Sequence, residues 1–138
     1  MSAAAHTGSR LGLMLTELRL PTVRRLAEAI CAQSDREGWP ALRLLEALLE
    51  HEIAERESRR IDRHRAESQL GADKRLASFD FTAVPSVSKA QVMALTEATE
   101  WLDRGANVLL FGPPGVGKTH LIAGLGHALI DIGRRVLF

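Results

Sequence analysis

Apolar positions recur at helical spacing over the first half of the chain and again after residue 118, with a different kind of run between them. Leu11, Leu15 and Leu18 predict a short first helix that ends before Leu20-Pro21, because proline disfavours helix in the residue before it. Thr22 is a candidate cap for a second helix whose apolar set is Val23, Leu26, Ala27 and Ile30, closed by Asp35-Arg-Glu-Gly38. Pro40 suits a first-turn position, and Leu42, Leu45, Leu49 and Ile53 continue at the spacing of one helical face. Between Ala54 and Leu70 the pattern thins to Ile61 alone, which predicts a solvated, charged continuation of that helix. Residues 71–87 show no period and read as a linker. In an extended segment Phe79 and Phe81 would point to opposite sides; anchoring of the linker is the role expected of them, with packing of one on the ATPase core near the nucleotide as the alternative. Ser88-x-x-Gln91 is a capping box opening a helix with Val92, Leu95 and Leu102 inward, and Gly105 ends it.

The next run differs in period. Val108, Leu109, Leu110 and Phe111 are consecutive and apolar, as in a buried strand of a parallel sheet. They flow into Gly112-Pro113-Pro114-Gly115-Val116-Gly117-Lys118-Thr119, the Gly-x-x-x-x-Gly-Lys-Thr pattern of a phosphate-binding P-loop. The chemistry needs these residue types. Glycines let the backbone curl so that N–H groups converge on phosphate oxygens, and lysine adds a point charge for the β- and γ-phosphates. The Thr119 hydroxyl is placed to ligate Mg²⁺, and the phosphates sit at the positive end of the helix that follows. Leu121, Ile122, Leu125, Leu129 and Ile132 supply that helix, with Gly133 as its stop. The pattern names a nucleotide with Mg²⁺ as the ligand. The fold class expected is an α/β P-loop NTPase fragment, preceded by an all-α N-terminal module. The organisation expected is a disordered leader over 1–10, a helical module over 11–70, the linker over 71–87, and the start of the ATPase domain over 88–138.

Composition changes this picture little. Hydrophobic residues at 46% and charged residues at 25% fit a globular chain, and a net charge of +1 means that any basic footprint must be local. The single cysteine, Cys31, allows no internal disulfide and reads as a small core residue of a cytoplasmic protein. No run reaches transmembrane length, so no membrane partner is expected. Charge is uneven at one place. Arg56, Arg59, Arg60 and Arg63 are three or four apart and share a helical face. They form either a phosphate-contacting ridge for DNA or a solvated face paired with Glu52 and Glu55.

Several stretches together resemble the IstB-like ATPases, transposition helper proteins of bacterial insertion sequences related to replicative helicase loaders. They are Leu18-Arg-Leu-Pro21, Glu55-Arg-Glu-x-Arg-Arg60, Phe79-Asp-Phe81, Trp101-Leu-x-Arg-Gly-x-Asn-Val-Leu-Leu, and Gly112-Pro-Pro-Gly-Val-Gly-Lys-Thr-His-Leu121 with the following Gly-His-Ala. The resemblance implies an ATPase of AAA+ type that binds double-stranded DNA, assembles into homo-oligomers and works with the transposase of the same element. It implies that residues 112–119 hold ATP, that Thr119 meets Mg²⁺, and that His120 and Leu121 approach the ribose or adenine. A helicase loader is the alternative function. The sequence stops at Phe138, about one βαβ unit of roughly 30 residues beyond Asn107. The acid, sensor and arginine-finger positions of the family have no counterpart in it, so the reading expects a truncated product, with no catalytic residue and ATPase activity in question. A non-functional remnant of such an ATPase is the third alternative.

Overall fold

The structure, a computed structural model, describes residues 2–138, with side chains from residue 10 onward. Two compact units divide it, one ending at Arg59 and the other running from Arg60 to Phe138.

The first unit is helical. Helix α1 spans Ser2–Glu17, α2 spans Pro21–Glu37 and α3 begins at Ala41 and continues to Glu67. The expected leader therefore lies largely in α1, for which Ala3-Ala4-Ala5 supply the strongest helix-forming residue type. The break at Leu20-Pro21 falls where proline predicts it, with Arg19 at φ 56 making the turn. Gly38 ends α2 in the left-handed conformation and donates its N–H to the Ser34 carbonyl. Leu15, Val23, Ile30 and Ala47 form the core of this unit.

Two expectations fail here, for one physical reason. Thr22 does not cap α2 with its side chain; it lies inside the helix, buried, and Leu20 at the cap position has no capping side-chain bond. The cap comes instead from Glu52 of α3. One carboxylate oxygen accepts the N–H groups of Thr22 at 2.8 Å and Val23 at 3.0 Å. This fixes which face of α3 turns inward. Ala47 and Glu52 are buried and Leu44 and Leu48 half-buried, whereas Leu42, Leu45, Leu49 and Ile53 are exposed. Leucines at 42, 44, 45, 48 and 49 cover two faces, so spacing alone cannot choose between them. Cys31 is exposed on α2, not in the core.

The second unit is built around α6, Lys118–Asp131. Leu121, Ala123, Leu125, His127, Leu129 and Ile130 are all buried along it. Segment 71–87 folds into two single 3₁₀ turns, Leu76–Ser78 and Phe81–Ala83, and the first lies against α6. Gly124 permits this approach, and Gly126 the packing of Leu70 just before the segment. A Cβ on Gly124 would stand 2.8 Å from the Leu76 backbone nitrogen, and one on Gly126 would stand 3.0 Å from a Leu70 methyl. His127 adds a bond of 2.9 Å between Nε2 and the Gly71 carbonyl, with Nε2 as the donor. The linker expected from its lack of period is therefore a docked segment.

Ser88 caps α4, Lys89–Glu97, by accepting the Gln91 N–H at 3.3 Å, as the capping box predicts. The helix then breaks, and α5 is the short Glu100–Asp103, stitched back by Trp101 Nε1 donating to the Leu95 carbonyl. Gly105, at φ 68, turns the chain as expected.

The α/β expectation is not met: no strand occurs among the described residues. Leu109 and Phe111 are exposed and Val108 and Leu110 only half-buried. A parallel strand takes its ladder from strands on either side and its burial from helices on both faces. Residues 134–138 run elsewhere, with the Phe138 N–H bonded to the Ser68 carbonyl at 3.0 Å and Arg134 gripping Asp103 through two bonds of 3.0 and 3.1 Å.

Candidate phosphate-binding site

The loop expected to hold phosphate lies at the start of α6. Gly117 is the residue before the helix, at φ 92, and Gly115 stands at φ 84, both in the left-handed region that favours glycine. No side chain caps this helix start. The amides of Lys118, Thr119 and His120 belong to its first turn, where N–H groups find no carbonyl within the helix. The Leu121 N–H is the first to close a turn, onto the Gly117 carbonyl at 2.9 Å. An uncapped helix start carries partial positive charge and aligned donors, which suits an anion.

Lys118 brings the side-chain charge to the same place. Its ammonium donates to the Gly112 carbonyl at 2.7 Å and the Pro113 carbonyl at 2.6 Å, so the side chain lies along the loop. Thr119 is exposed on the first turn and borders a hollow with Leu110, Lys118 and Ile122. A single hydroxyl there fits Mg²⁺, which takes few protein ligands and relies on phosphate oxygens and water. No group of three or more His, Cys, Asp or Glu able to hold a metal occurs among the described residues.

Beside the loop is an open hollow whose walls include Phe79, Val84, Val87, Gly117, Lys118 and Leu121. Leu121, expected near the base, is a buried part of that wall. His120, expected in the same role, is placed differently. Its Nε2 lies 3.0 Å from the Arg75 carbonyl and 3.2 Å from Ser78 Oγ, and its ring stands edge-on to Phe79. Sequence reading missed Val84 and Val87 as wall residues. It also missed Gly124 and His127, which hold the preceding segment on α6. Glycine inside a helical pattern, followed by a histidine among apolar positions, was the available signal.

The arginines of α3 divide. Arg56 Nε bonds Glu52 at 3.1 Å, its guanidinium also reaches the Arg19 carbonyl, and Arg59 lies 3.6 Å from the same carboxylate. Burial alone would raise the Glu52 pKa, but the Val23 and Thr22 amides and the Arg56 guanidinium outweigh it and hold the carboxyl below its ordinary value. These two arginines thus complete the brace on α2, with Glu52 as partner as the solvated-face reading expected. Arg60 and Arg63 follow at exposed positions of the helix.

The glycine-rich loop, the Lys118 ammonium and the uncapped helix start thus lie together. The chain belongs to the family of IstB-like ATP binding proteins, whose model matches residues 13–138. It is 60% identical over 130 residues to a Sinorhizobium fredii protein named as an insertion sequence ATP-binding protein, covering 94% of this chain and 44% of that relative. A Mycobacterium tuberculosis protein, named as an ATP-binding protein in an insertion sequence, is 39% identical over 90% of this chain and 49% of its own length. The ATP-binding protein of insertion sequence IS21 of Pseudomonas aeruginosa is 33% identical over 93% of this chain and 48% of its own. The chain spans about half the length of these curated relatives. No helix among the described residues is long and apolar enough to cross a membrane.

Proposed function

We propose that this chain grips ATP with Mg²⁺ for an accessory protein of insertion-sequence transposition. The observation that carries the reading is the uncapped start of α6 behind two left-handed glycines, with the Lys118 ammonium on the same loop. The loop Gly112 to Thr119 surrounds the phosphates, with backbone N–H groups offered from Gly115 to Thr119. Lys118 leaves its two carbonyls for the β- and γ-phosphates, Thr119 offers its hydroxyl to Mg²⁺, and Leu121 with Phe79, Val84 and Val87 shelters the base. The bound metal supplies charge neutralisation on the phosphates. The names of the relatives favour the transposition role over that of a helicase loader. In this reading the protein meets double-stranded DNA, with arginines of α3 as phosphate contacts, and works in the cytoplasm with the transposase of its element as a homo-oligomer.

Lys118→Ala tests the grip. It removes the side-chain cation of the loop, so ATP affinity measured by calorimetry falls tenfold or more, about 1.4 kcal/mol per decade. Equal affinities for the two forms would end the assignment.

A further inference from the structure

We propose that His120 is a positioning residue: it pins segment 75–79 so that the Phe79 ring stands as a fixed wall of the base hollow. The inference rests on the nucleotide reading above and assigns what sets its selectivity for a base over a bare polyphosphate.

Phe79 belongs to a stretch without periodicity, just past a single 3₁₀ turn, and such a stretch does not hold a ring in place by itself. Yet the ring is closely located. It lies where a Cβ of Gly117 would be, 2.9 Å from that position, so it covers the backbone of the phosphate loop. Three contacts from one side chain account for the placement. The Arg75 carbonyl can only accept, so the His120 Nε2 at 3.0 Å carries the proton and donates to it. The same nitrogen lies 3.2 Å from Ser78 Oγ, whose hydroxyl is oriented by the Asp73 and Arg75 carbonyls at 3.1 and 2.9 Å. The imidazole then meets Phe79 at 5.4 Å between centroids and 89° between planes, the edge-to-face arrangement that aromatic pairs prefer.

Phe81 stands at 4.8 Å and 68° to the same ring and supports it from within the segment. His120 is what ties the ring to α6, two residues beyond Lys118. The phosphate grip and the base wall are thereby fixed to one helical turn. Loss of the pin leaves the glycines, Lys118 and the helix start in place, and only the part of the affinity owed to the base is lost.

The test compares MgATP with magnesium tripolyphosphate by calorimetry on the unaltered chain, His120→Ala, and His120→Gln, whose amide keeps a donor near the Nε2 position. The expected result is a fall in ATP affinity of about tenfold for His120→Ala, the scale of one base–aromatic stack. Tripolyphosphate affinity stays unchanged, and His120→Gln recovers most of the loss. Without any ligand, the Gly117 amide resonance moves in His120→Ala because the ring above it is released. Equal losses for both ligands, no loss for either, or an unmoved Gly117 resonance would overturn the pin. Failure of the unaltered chain to bind either ligand would overturn the nucleotide reading, and the pin with it.

Discussion

Helices α2 and α6 both begin with backbone N–H groups that no intrahelical carbonyl can satisfy, and the two units treat that problem in opposite ways. At α2 the donors are closed off. A buried carboxylate from Glu52, 29 and 30 positions away in sequence, accepts two of them, and arginines on the following turns complete its bonding. At α6 the start is left without a side-chain cap, fronted by glycines and a lysine that bonds only to its own loop. The same dipole and the same orphan donors serve stability in one unit and, in the function proposed above, ligand capture in the other. The difference teaches how to tell the two apart: a helix start whose donors are satisfied from inside the fold has no remaining use for an anion.

The comparison breaks most directly at Glu52. Glu52→Ala orphans two buried amides and removes the partner of Arg56, and the expected destabilisation is about 3 kcal/mol in urea unfolding followed by helical circular dichroism. A change near zero would show that the cap is ornamental. At the other start, Lys118→Ala is expected to leave the thermal midpoint unmoved while ATP affinity falls; a large drop in midpoint would make that lysine a structural clamp.

Acid sharpens the contrast. The folded-state pKa of Glu52 lies below its unfolded value of 4.5, so its stabilisation is complete above that value. It is lost as pH falls through the lower folded value. The stability gap between the native chain and Glu52→Gln is therefore expected to be widest near neutrality and to shrink on acidification below about 4.5. Unfolding midpoints at stepped pH measure it, and a gap that widened in acid would reverse the assignment.

The smallest effect expected is on DNA. Each of Arg56, Arg59, Arg60 and Arg63 replaced singly by Gln flattens the salt dependence of DNA binding by about 0.9 in log–log slope if it meets a phosphate. Arg56→Gln also lowers stability, because Glu52 loses a donor. Four unchanged slopes would leave α3 with only its internal role.

What the sequence made legible follows the range of the interactions. Signals acting over a few residues were readable: Leu20-Pro21, the Ser88–Gln91 box, Gly105, and the glycine–lysine loop running into α6. Signals acting across the fold were not. The cap on α2 arrives from Glu52, which looks in sequence like one more charge on a charged helix, and the inward face of α3 follows from that bond. Segment 71–87 lacks period because its order comes from α6, through Gly124, His120 and His127, and not from its own pattern. The strand over 107–111 was read from apolar content, while a strand is made by its neighbours.

The two glycines of α6 have a consequence for how this lineage can drift. At Gly124 the crowding atom is backbone, the Leu76 nitrogen, and a main chain cannot step aside without undoing the docked segment. At Gly126 the nearest atom is the tip of a leucine, which can rotate away. Under random substitution the two positions therefore diverge in tolerance although both read as the same letter in the same helix. Alanine at 126 is a survivable step that even favours the helix, and alanine at 124 is a dead end.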